Sequence, residues 1–532
     1  MCLDFVNECK RNLVNWERGR HGINHPVMAF SLAAIVLGAS LFLSAQPGGT
    51  EAYDPWPQFM HDPTHTSSLW AGVNGAPNPR CKPVALWSID FGENIAFFNA
   101  IAFTTNSSYA YVGAGTKGAF FAIDTSKPST SCTPPACTRY RVGSGDQAAA
   151  GPIVVSSTGW PHSMGPNVVL VGAGSSLNAF APPTAVSIAE IALPARHSNL
   201  GIKTTPAIGA DGTLYVAAGS LLAYDKTKVP PKLLWSAPDP QSLVYSSPVF
   251  STDGKAIYAV SKYYNDNCQL FAIDASPTGG GAQIPATSVS FPGKGGCAPP
   301  NVVFPSPAVG AKDGAVYCGH GNSLVAFGAY TSPGVLWTFN TTGRVVSSAS
   351  VSADTNMVFF ASWDGVVWSV TGGPGGGKPN PGWPAGGKII LEGGGPPTIP
   401  ITSSPALLAS AHLMFIGAGN CVFALNQTTG ATSWKYCGSG LVAAPPAIGP
   451  DGRVYAGFGS KLVGLPAVVN PACPAPETCN AGGVCVSPPP PPSPPAPHPP
   501  PPVPSHPPPP KASPPPPPTK APTPAPTAGG GR

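Results

Sequence analysis

Thirteen cysteines, ten histidines and a set of regularly placed aspartates are the groups in this 532-residue chain that could do chemistry. Cys2 and Cys9 precede a long apolar run, which leaves eleven of the thirteen cysteines behind it. If a hairpin spans Val422–Trp434 and turns about Thr429, Cys421 and Cys437 face each other on neighbouring strands, close enough for a disulfide. Cys132 and Cys137 flank Thr-Pro-Pro-Ala and can close a small loop, and Cys268 with Cys297 can tie neighbouring repeats. For each pair the alternative is two separate thiols. The spacing gives metal binding little, since no CxxC occurs. Eleven is odd, so one thiol is expected to be free or intermolecular.

The other reactive groups favour structural roles. His61, Asp62 and His65 have a metal-ligand look at i, i+4, but Pro63 opposes the helix that would put them on one face. A docked loop fits them better. His320, in Cys-Gly-His-Gly, reads as a turn residue. Gly113-Ala-Gly-Thr-Lys-Gly118 matches a dinucleotide fingerprint, yet the next element is a second strand, AFFAID, not a helix N-terminus able to hold a pyrophosphate. The aspartates sit in Asp-Gly pairs at 211–212, 253–254, 313–314 and 451–452, or at Ala-x-Asp strand ends such as Asp124 and Asp274, with Asp225 in the same register. Turn and strand-end chemistry accounts for them, and no pair of carboxylates stands out for acid–base work. Trp87, Trp235, Trp337 and Trp434 recur in register, which makes them packing residues sooner than a sugar platform. Asn106, Asn340 and Asn426 open N-glycosylation sequons at predicted turns.

The elements that must hold these residues are short strands in a long repeat. The sentence TTPAIGADGTLYVAAGSLLAYD from Thr204 returns from Ser246, Pro305, Ser403 and Ala444, and in more worn form from Asn99, Ala150 and Ser347. Asp-Gly supplies the positive φ of a two-residue hairpin turn, a Gly cluster closes the second strand, and Trp marks a fourth. No helical periodicity appears over Ala85–Pro466. The expected class is all-β: an eight-bladed β-propeller of antiparallel four-stranded blades, with seven blades as the alternative. Ala85–Phe91 looks like a fourth strand that comes early, and the last copy lacks one. The early strand is therefore expected to complete the last blade and close the ring.

Ala424-Leu-Asn-Gln-Thr-Thr-Gly-Ala-Thr-Ser-Trp434 resembles the tryptophan-docking repeat of pyrroloquinoline-quinone-like (quinoprotein) β-propellers. The repeat's pattern is Ala-x-Asp-x-x-Thr-Gly-Lys-x-x-Trp, and here Asn426 stands for Asp and Ala431 for Lys. Trp56–Thr66 resembles the segment before such propellers, and the resemblance covers residues 53–466. It implies the propeller fold, which hosts dehydrogenases, assembly scaffolds and binding modules alike. The enzymes of the family would need a Ca²⁺ or related cation, an Asp base, and often adjacent cysteines or an attached haem. This chain has no Cys-Cys pair and no CxxCH, and no cofactor or metal is expected.

Composition and address narrow the function. Charged residues are 10% of the chain against 42% hydrophobic, and the net charge of +5 is thinly spread. Nucleic-acid binding is thereby disfavoured. Residues 1–26 form an N-terminal segment, and 27–45 (VMAFSLAAIVLGASLFLSA) are uncharged behind Lys10, Arg11, Arg18 and Arg20. They read as a signal peptide cleaved near Ala45, or as an anchor that keeps the chain at a membrane with the propeller outside the cytosol. Residues 467–486 are a linker whose Cys473, Cys479 and Cys485 are reminiscent of an epidermal-growth-factor-like fragment. From Ser487 to Arg532 the chain is proline-rich, a polyproline II rod. Its Ser-Pro-Pro-Pro-Pro-Pro blocks resemble the extensins and other hydroxyproline-rich wall glycoproteins of plants and green algae. The resemblance implies prolyl hydroxylation, O-glycosylation and association with a matrix.

The expectation is a secreted, non-enzymatic binding or scaffold protein whose partners are wall or extracellular-matrix glycoproteins and polysaccharides. A quinone-dependent oxidoreductase and a membrane-anchored lumenal assembly factor are the alternatives.

Overall fold

Apolar runs of five or six residues, cut by glycine and aspartate, are too short to bury a helical face and long enough to cross a sheet. They fold as strands throughout. In the computed structural model the described residues are 68–69, most of 82–291, 305–384, 386–391, 401–469, 478–479, 485–486, 513 and 515. No α-helix occurs among them; a single 3₁₀ turn spans Ala409–Ala411. No helix among these residues is long and apolar enough to cross a membrane, and Val27–Ala45 lies outside them. The chain divides into two units, Met1–Val486 and Ser487–Arg532, and every strand belongs to the first.

Eight four-stranded antiparallel blades make up the ring. Blades 1 to 7 occupy residues 101–141, 153–192, 207–237, 249–290, 308–340, 350–390 and 406–437. Blade 8 takes three strands from residues 447–466 and its fourth from Trp87–Asp90. In blade 3 the strands Ala207–Ile208, Leu214–Ala218, Ser220–Asp225 and Lys232–Ala237 pair in chain order. The second and third are buried on both faces, because each blade is sandwiched between two others. The fourth, at the rim, is partly exposed. This is why the inner strands read as unbroken apolar runs and the outer ones do not.

Ring closure matches the register expected from the early strand. Trp87 pairs with Gly464 and Asp90 with Lys461, so the last blade has no open edge on its third strand. Gly464 must be small: a Cβ there would stand 2.8 Å from Trp87 Nε1. A short strand from ahead of the ring, Ser68–Leu69, runs parallel to the first strand of blade 7.

Two sequence expectations change in detail. The Asp-Gly pairs do not form two-residue hairpins. Ile208 and Leu214 are the closest paired residues across the first turn of blade 3, and Phe250 and Ile257 across that of blade 4. In these longer loops the glycine alone takes positive φ (86° at Gly212), while Asp211 Oδ1 accepts the Thr213 N–H at 2.9 Å. The aspartate is an Asx-turn residue, not half of a type I′ turn. The glycines closing the second strand also have a specific cause. An apolar side chain from the linker behind or ahead of the blade lies across them. A Cβ on Gly319 would meet Val345 Cγ1 at 2.7 Å, and one on Gly457 would meet Ile95 Cδ1 at 2.9 Å. Val345 is 2% exposed; burying a valine this fully is worth about 1.5–3 kcal/mol.

Candidate functional site

The surfaces a propeller offers to ligands are its axis, its two loop faces and the grooves between blades. The axis is built from the Ser-Ser-Pro motif that opens each repeat. First strands of adjacent blades touch, which places their first residues around the centre. At the second position of the motif stand Ala100, Gly151, Thr205, Ser247, Ser306, Ser348, Ser404 and Pro445, all buried. Hydrogen bonds pass along them from blade to blade. The N–H of Thr205 donates to Ser247 Oγ (3.1 Å), that of Ser247 to Ser306 Oγ (3.0 Å), that of Ser306 to Ser348 Oγ (2.8 Å), and that of Ser348 to Ser404 Oγ (3.0 Å). At Ser246, Ser347 and Ser403 the first hydroxyl of the pair accepts within its own blade, and Ser403 Oγ also donates to the Ala444 carbonyl of the next repeat (3.3 Å). Ser246 Oγ accepts the Val260 N–H (2.8 Å), Ser347 Oγ that of Ala361 (2.7 Å), and Ser403 Oγ that of Gly417 (3.1 Å). Gly151 completes the ring where space is least; a Cβ there would stand 2.8 Å from that of Ala100. The sequence displays this motif as a repeat marker, but the hydroxyl ring exists only once the blades close around the axis.

Farther out, the tryptophans dock each blade to the next. Trp235 Nε1 donates to the Ser276 carbonyl (3.2 Å), Trp337 to Gly373 (2.8 Å) and Trp434 to Ala467 (3.1 Å). Every acceptor lies one or two residues past the third strand of the following blade. Blade 6 uses Trp383, whose indole donates to Gln427 O at 2.9 Å. Sequence reasoning missed it because it precedes its own fourth strand inside a Gly/Pro-rich loop, although its Trp per repeat was a usable signal. Trp87, in the closing blade, is buried with its Nε1 unpartnered. Tyrosines of the second strand add a further tie. Tyr258 Oη accepts the Tyr330 N–H (2.8 Å) and Tyr317 Oη that of Gly373 (2.7 Å). Burial pushes the Tyr258 phenol up to about 12 and Tyr317 higher still, so both stay neutral.

The aspartates on the face carrying the turns between first and second strands are tied to those turns. In three blades the turn carboxylate also meets a donor from the next blade. Asp253 Oδ2 accepts from Tyr330 Oη (2.6 Å), Asp313 Oδ2 from Asn356 Nδ2 (2.8 Å), and Asp354 Oδ2 faces His412 Nδ1 at 3.9 Å. At Asp253 burial pushes the carboxyl up, but hydrogen bonds from Ser251, Tyr330 and the Lys255 N–H outweigh it and hold the group below the usual range. At Asp124 burial is likewise outweighed, here by Lys127 and Ser126. Among the described residues no group of three His, Cys, Asp or Glu is placed to hold a metal ion.

The other sequence-marked residues scatter. Cys421 and Cys437 form a disulfide across paired strands (Cα–Cα 4.0 Å), and Cys132 and Cys137 another (4.8 Å). Cys268 is disulfide-bonded, and Cys297 lies outside the described residues. Cys318 is a free thiol, wholly buried, and burial pushes its pKa far up. His320 closes the second strand of blade 5, stacked on Phe291 (centroids 4.7 Å apart) instead of projecting from a turn. Burial, then Arg344, lowers its pKa to about 4. Asn340 is exposed at the end of a fourth strand. Asn426 is half-buried, its Oδ1 accepting the N–H groups of Thr428 and Thr429. Gly113 and Ala114 end the second strand of blade 1, and the third strand, Ala119–Asp124, takes up the position the fingerprint would need for a helix. Asn106, His61, Asp62, His65 and Gly115–Gly118 lie outside the described residues.

No family model and no curated protein matches the sequence. Solved structures do match in fold. A europium-containing methanol dehydrogenase aligns with a TM-score of 0.52 at 12% identity, over 76% of this chain and 89% of its own. The quinohemoprotein alcohol dehydrogenase from Comamonas testosteroni gives 0.52 at 13% identity, over 81% and 83%. BamB from Moraxella catarrhalis gives 0.45 at 14%, over 72% and 99%. At these identities the likeness to the two dehydrogenases extends to the fold alone, an eight-bladed propeller in this chain.

Proposed function

We propose that this chain is a secreted, non-enzymatic binding or scaffold protein, a propeller head carried on a proline-rich rod in a cell wall or extracellular matrix. The observation that carries the reading is the hydroxyl ring. From Thr205 to Ser404 the residues nearest the axis are small and committed to joining blades, an arrangement suited to a rigid disc. The tail from Ser487, with its Ser-Pro-Pro-Pro-Pro-Pro blocks, supports display in a matrix. Wall glycoproteins and polysaccharides are the proposed partners, and Val27–Ala45 the signal that is removed on export.

The fold likeness keeps quinone-dependent oxidation as the second reading. The described residues do not fit that group. The ring positions carry no carboxylate, each of Asp211, Asp253 and Asp313 caps a backbone N–H of its own turn, and among the described residues no three acidic groups are placed to hold the cation. No step is therefore assigned to a quinone. The test is retention of the purified full chain by an insoluble wall fraction through a salt wash, alongside dye-linked alcohol oxidation after incubation with the quinone and Ca²⁺. Retention without oxidation is expected. Turnover would overturn the reading, as would a chain that washes off completely. Peptide mapping that finds Val27–Ala45 in the mature protein would replace free secretion by a membrane-anchored lumenal role.

A further inference from the structure

Blades 3 and 4 are separated on the turn face by a cavity of about 590 Å³, within the range of roughly 300–1,000 Å³ typical of small-ligand pockets. Its floor is apolar: Tyr215 and Phe250, both buried and in edge-to-face contact at 5.3 Å. Its walls carry Asp211 and Asp274 from the two blades, Lys255 from the turn of blade 4, and Asp253 with Tyr330 beside it.

The repeat itself supplies the comparison that gives this cavity meaning. Asp211, Asp253 and Asp313 hold the same place in the turns of blades 3, 4 and 5, and each accepts the N–H two residues on. In blades 4 and 5 the outward oxygen is then covered from the next blade, by the Tyr330 hydroxyl and by the Asn356 amide. Asn356 and Lys255 occupy equivalent positions, each just ahead of its blade's second strand. Beside Asp211 the next blade presents Lys255, and the side-chain hydrogen bond to Asp211 comes from its own Thr213. The space that Asn356 fills at the junction of blades 5 and 6 is the cavity between blades 3 and 4.

We propose that this cavity binds a neutral polyhydroxylated ligand, a sugar residue of a polysaccharide or glycoprotein, with Asp211 accepting from a sugar hydroxyl as Asp253 accepts from Tyr330. The chemistry favours such a ligand over a cation. Carboxylates want donors and Lys255 wants an acceptor. A hydroxyl serves both, and among the described residues no three acidic groups are placed to hold a metal ion. The apolar part of the cavity lining, Ala210, Ala275 and Pro277 above the buried rings, suits the C–H face of a pyranose or furanose ring. Asp274, its Oδ1 engaged by the Ser276 N–H at 2.8 Å, keeps its second oxygen for the same ligand.

The inference deepens the proposed matrix role and rests on it. The test is calorimetric titration of the full chain with cellotetraose and xylotetraose, as polysaccharide fragments, and with a glycopeptide bearing O-linked arabinose. Binding of one of these is expected, weakened about tenfold or more in Asp211→Asn, the loss expected on removal of a charged acceptor. Lys255→Ala is expected to weaken the same ligand. Asp211→Asn keeps the carbonyl oxygen that caps Thr213, so its melting temperature should match the native chain. Asp313→Asn, at the covered junction, should bind normally. If none of the three probes binds, or if Asp211→Asn and Lys255→Ala bind as tightly as the native chain, the assignment fails. Should wall retention persist while these variants bind normally, the cavity is refuted and the scaffold reading stands. Should wall retention be absent while oligosaccharide binding obeys Asp211, the scaffold reading fails and the site stands.

Discussion

Ser348→Ala tests whether the hydroxyl ring holds the blades together. Ser348 Oγ accepts the Ser306 N–H at 2.8 Å, and both residues are under 5% exposed, so water cannot take over the lost bond. A buried backbone N–H left without an acceptor costs about 1–3 kcal/mol. The methyl of alanine gives almost nothing back, since Ser348 already lies in contact with its neighbours. For a propeller of some four hundred residues, an unfolding entropy of roughly 2 cal/mol/K per residue makes 1 kcal/mol worth little more than 1 °C. The expected fall in Tm is then about 1–4 °C. Two readouts make the test specific. Hydrogen exchange at the Ser306 amide should quicken while amides of blades 1 and 2 do not change. Ser348→Thr should restore both stability and protection, because Thr205 shows that the ring accepts a threonine at this position. An alanine variant with native Tm and native Ser306 protection would refute the account. So would a threonine variant as damaged as the alanine one, which would mean that shape and not the hydroxyl matters.

The same geometry carries three more expectations. Trp434→Phe removes the N–H that reaches Ala467 O at 3.1 Å while keeping an aromatic ring, and should cost about 1 kcal/mol by urea unfolding, against about 3–5 kcal/mol for Trp434→Ala. Replacing Cys421 and Cys437 together by serine opens a link across 16 residues and should lower stability by about 2–3 kcal/mol, read as a reduced urea midpoint with native-like circular dichroism. His320 is neutral in the fold, with a pKa near 4 against 6.5 when unfolded, so the unfolded chain binds more protons between these values. Stability should therefore rise from pH 4 to pH 6.5 and be lost as pH falls through that window. Its size is about 2–3 kcal/mol once solvent screening of Arg344 is allowed for, and a His320→Gln variant with an unchanged melting profile over that range would contradict it.

Strand type and blade count were legible because they depend on local patterns. Five-residue apolar runs, glycine at the strand ends and the Trp register each encode one blade without knowledge of the others. Closure was legible too, since Trp87–Asp90 is a fourth strand with no blade of its own. What could not be read are the contacts that arise only when eight copies meet. Ser247 and Ser306 stand 59 residues apart, and nothing in either repeat says that the Ser306 hydroxyl will accept the Ser247 backbone N–H. Trp383 escaped because Gly-Trp-Pro sits in a loop, and its role depends on Gly430 leaving room: a Cβ there would stand 3.0 Å from Trp383 Cδ2. The Asp-Gly pairs were placed correctly in the fold and given the wrong turn, because dipeptide chemistry does not reveal how many residues the loop spans.

A repeat of this kind separates architecture from opportunity. Where several copies bear a feature and find it the same kind of partner, the feature belongs to the disc: the indole that reaches the next blade, the hydroxyl that accepts from its neighbour. The turn carboxylate behaves differently. Its inward duty, capping the N–H two residues on, is common to Asp211, Asp253 and Asp313, so the turn does not need what lies outside. Its outward oxygen is covered by a phenol at one junction and an amide at the next. Because the cover is interchangeable, its loss beside Asp211 costs the fold little, and the space it vacates keeps a polarised rim over a buried aromatic floor. A rigid scaffold that can open one junction without weakening its turns has a way to acquire a binding site while the junctions beside Asp253 and Asp313 stay covered. That is the physical reason to look for a ligand between blades 3 and 4 and not at the hydrogen-bonded axis.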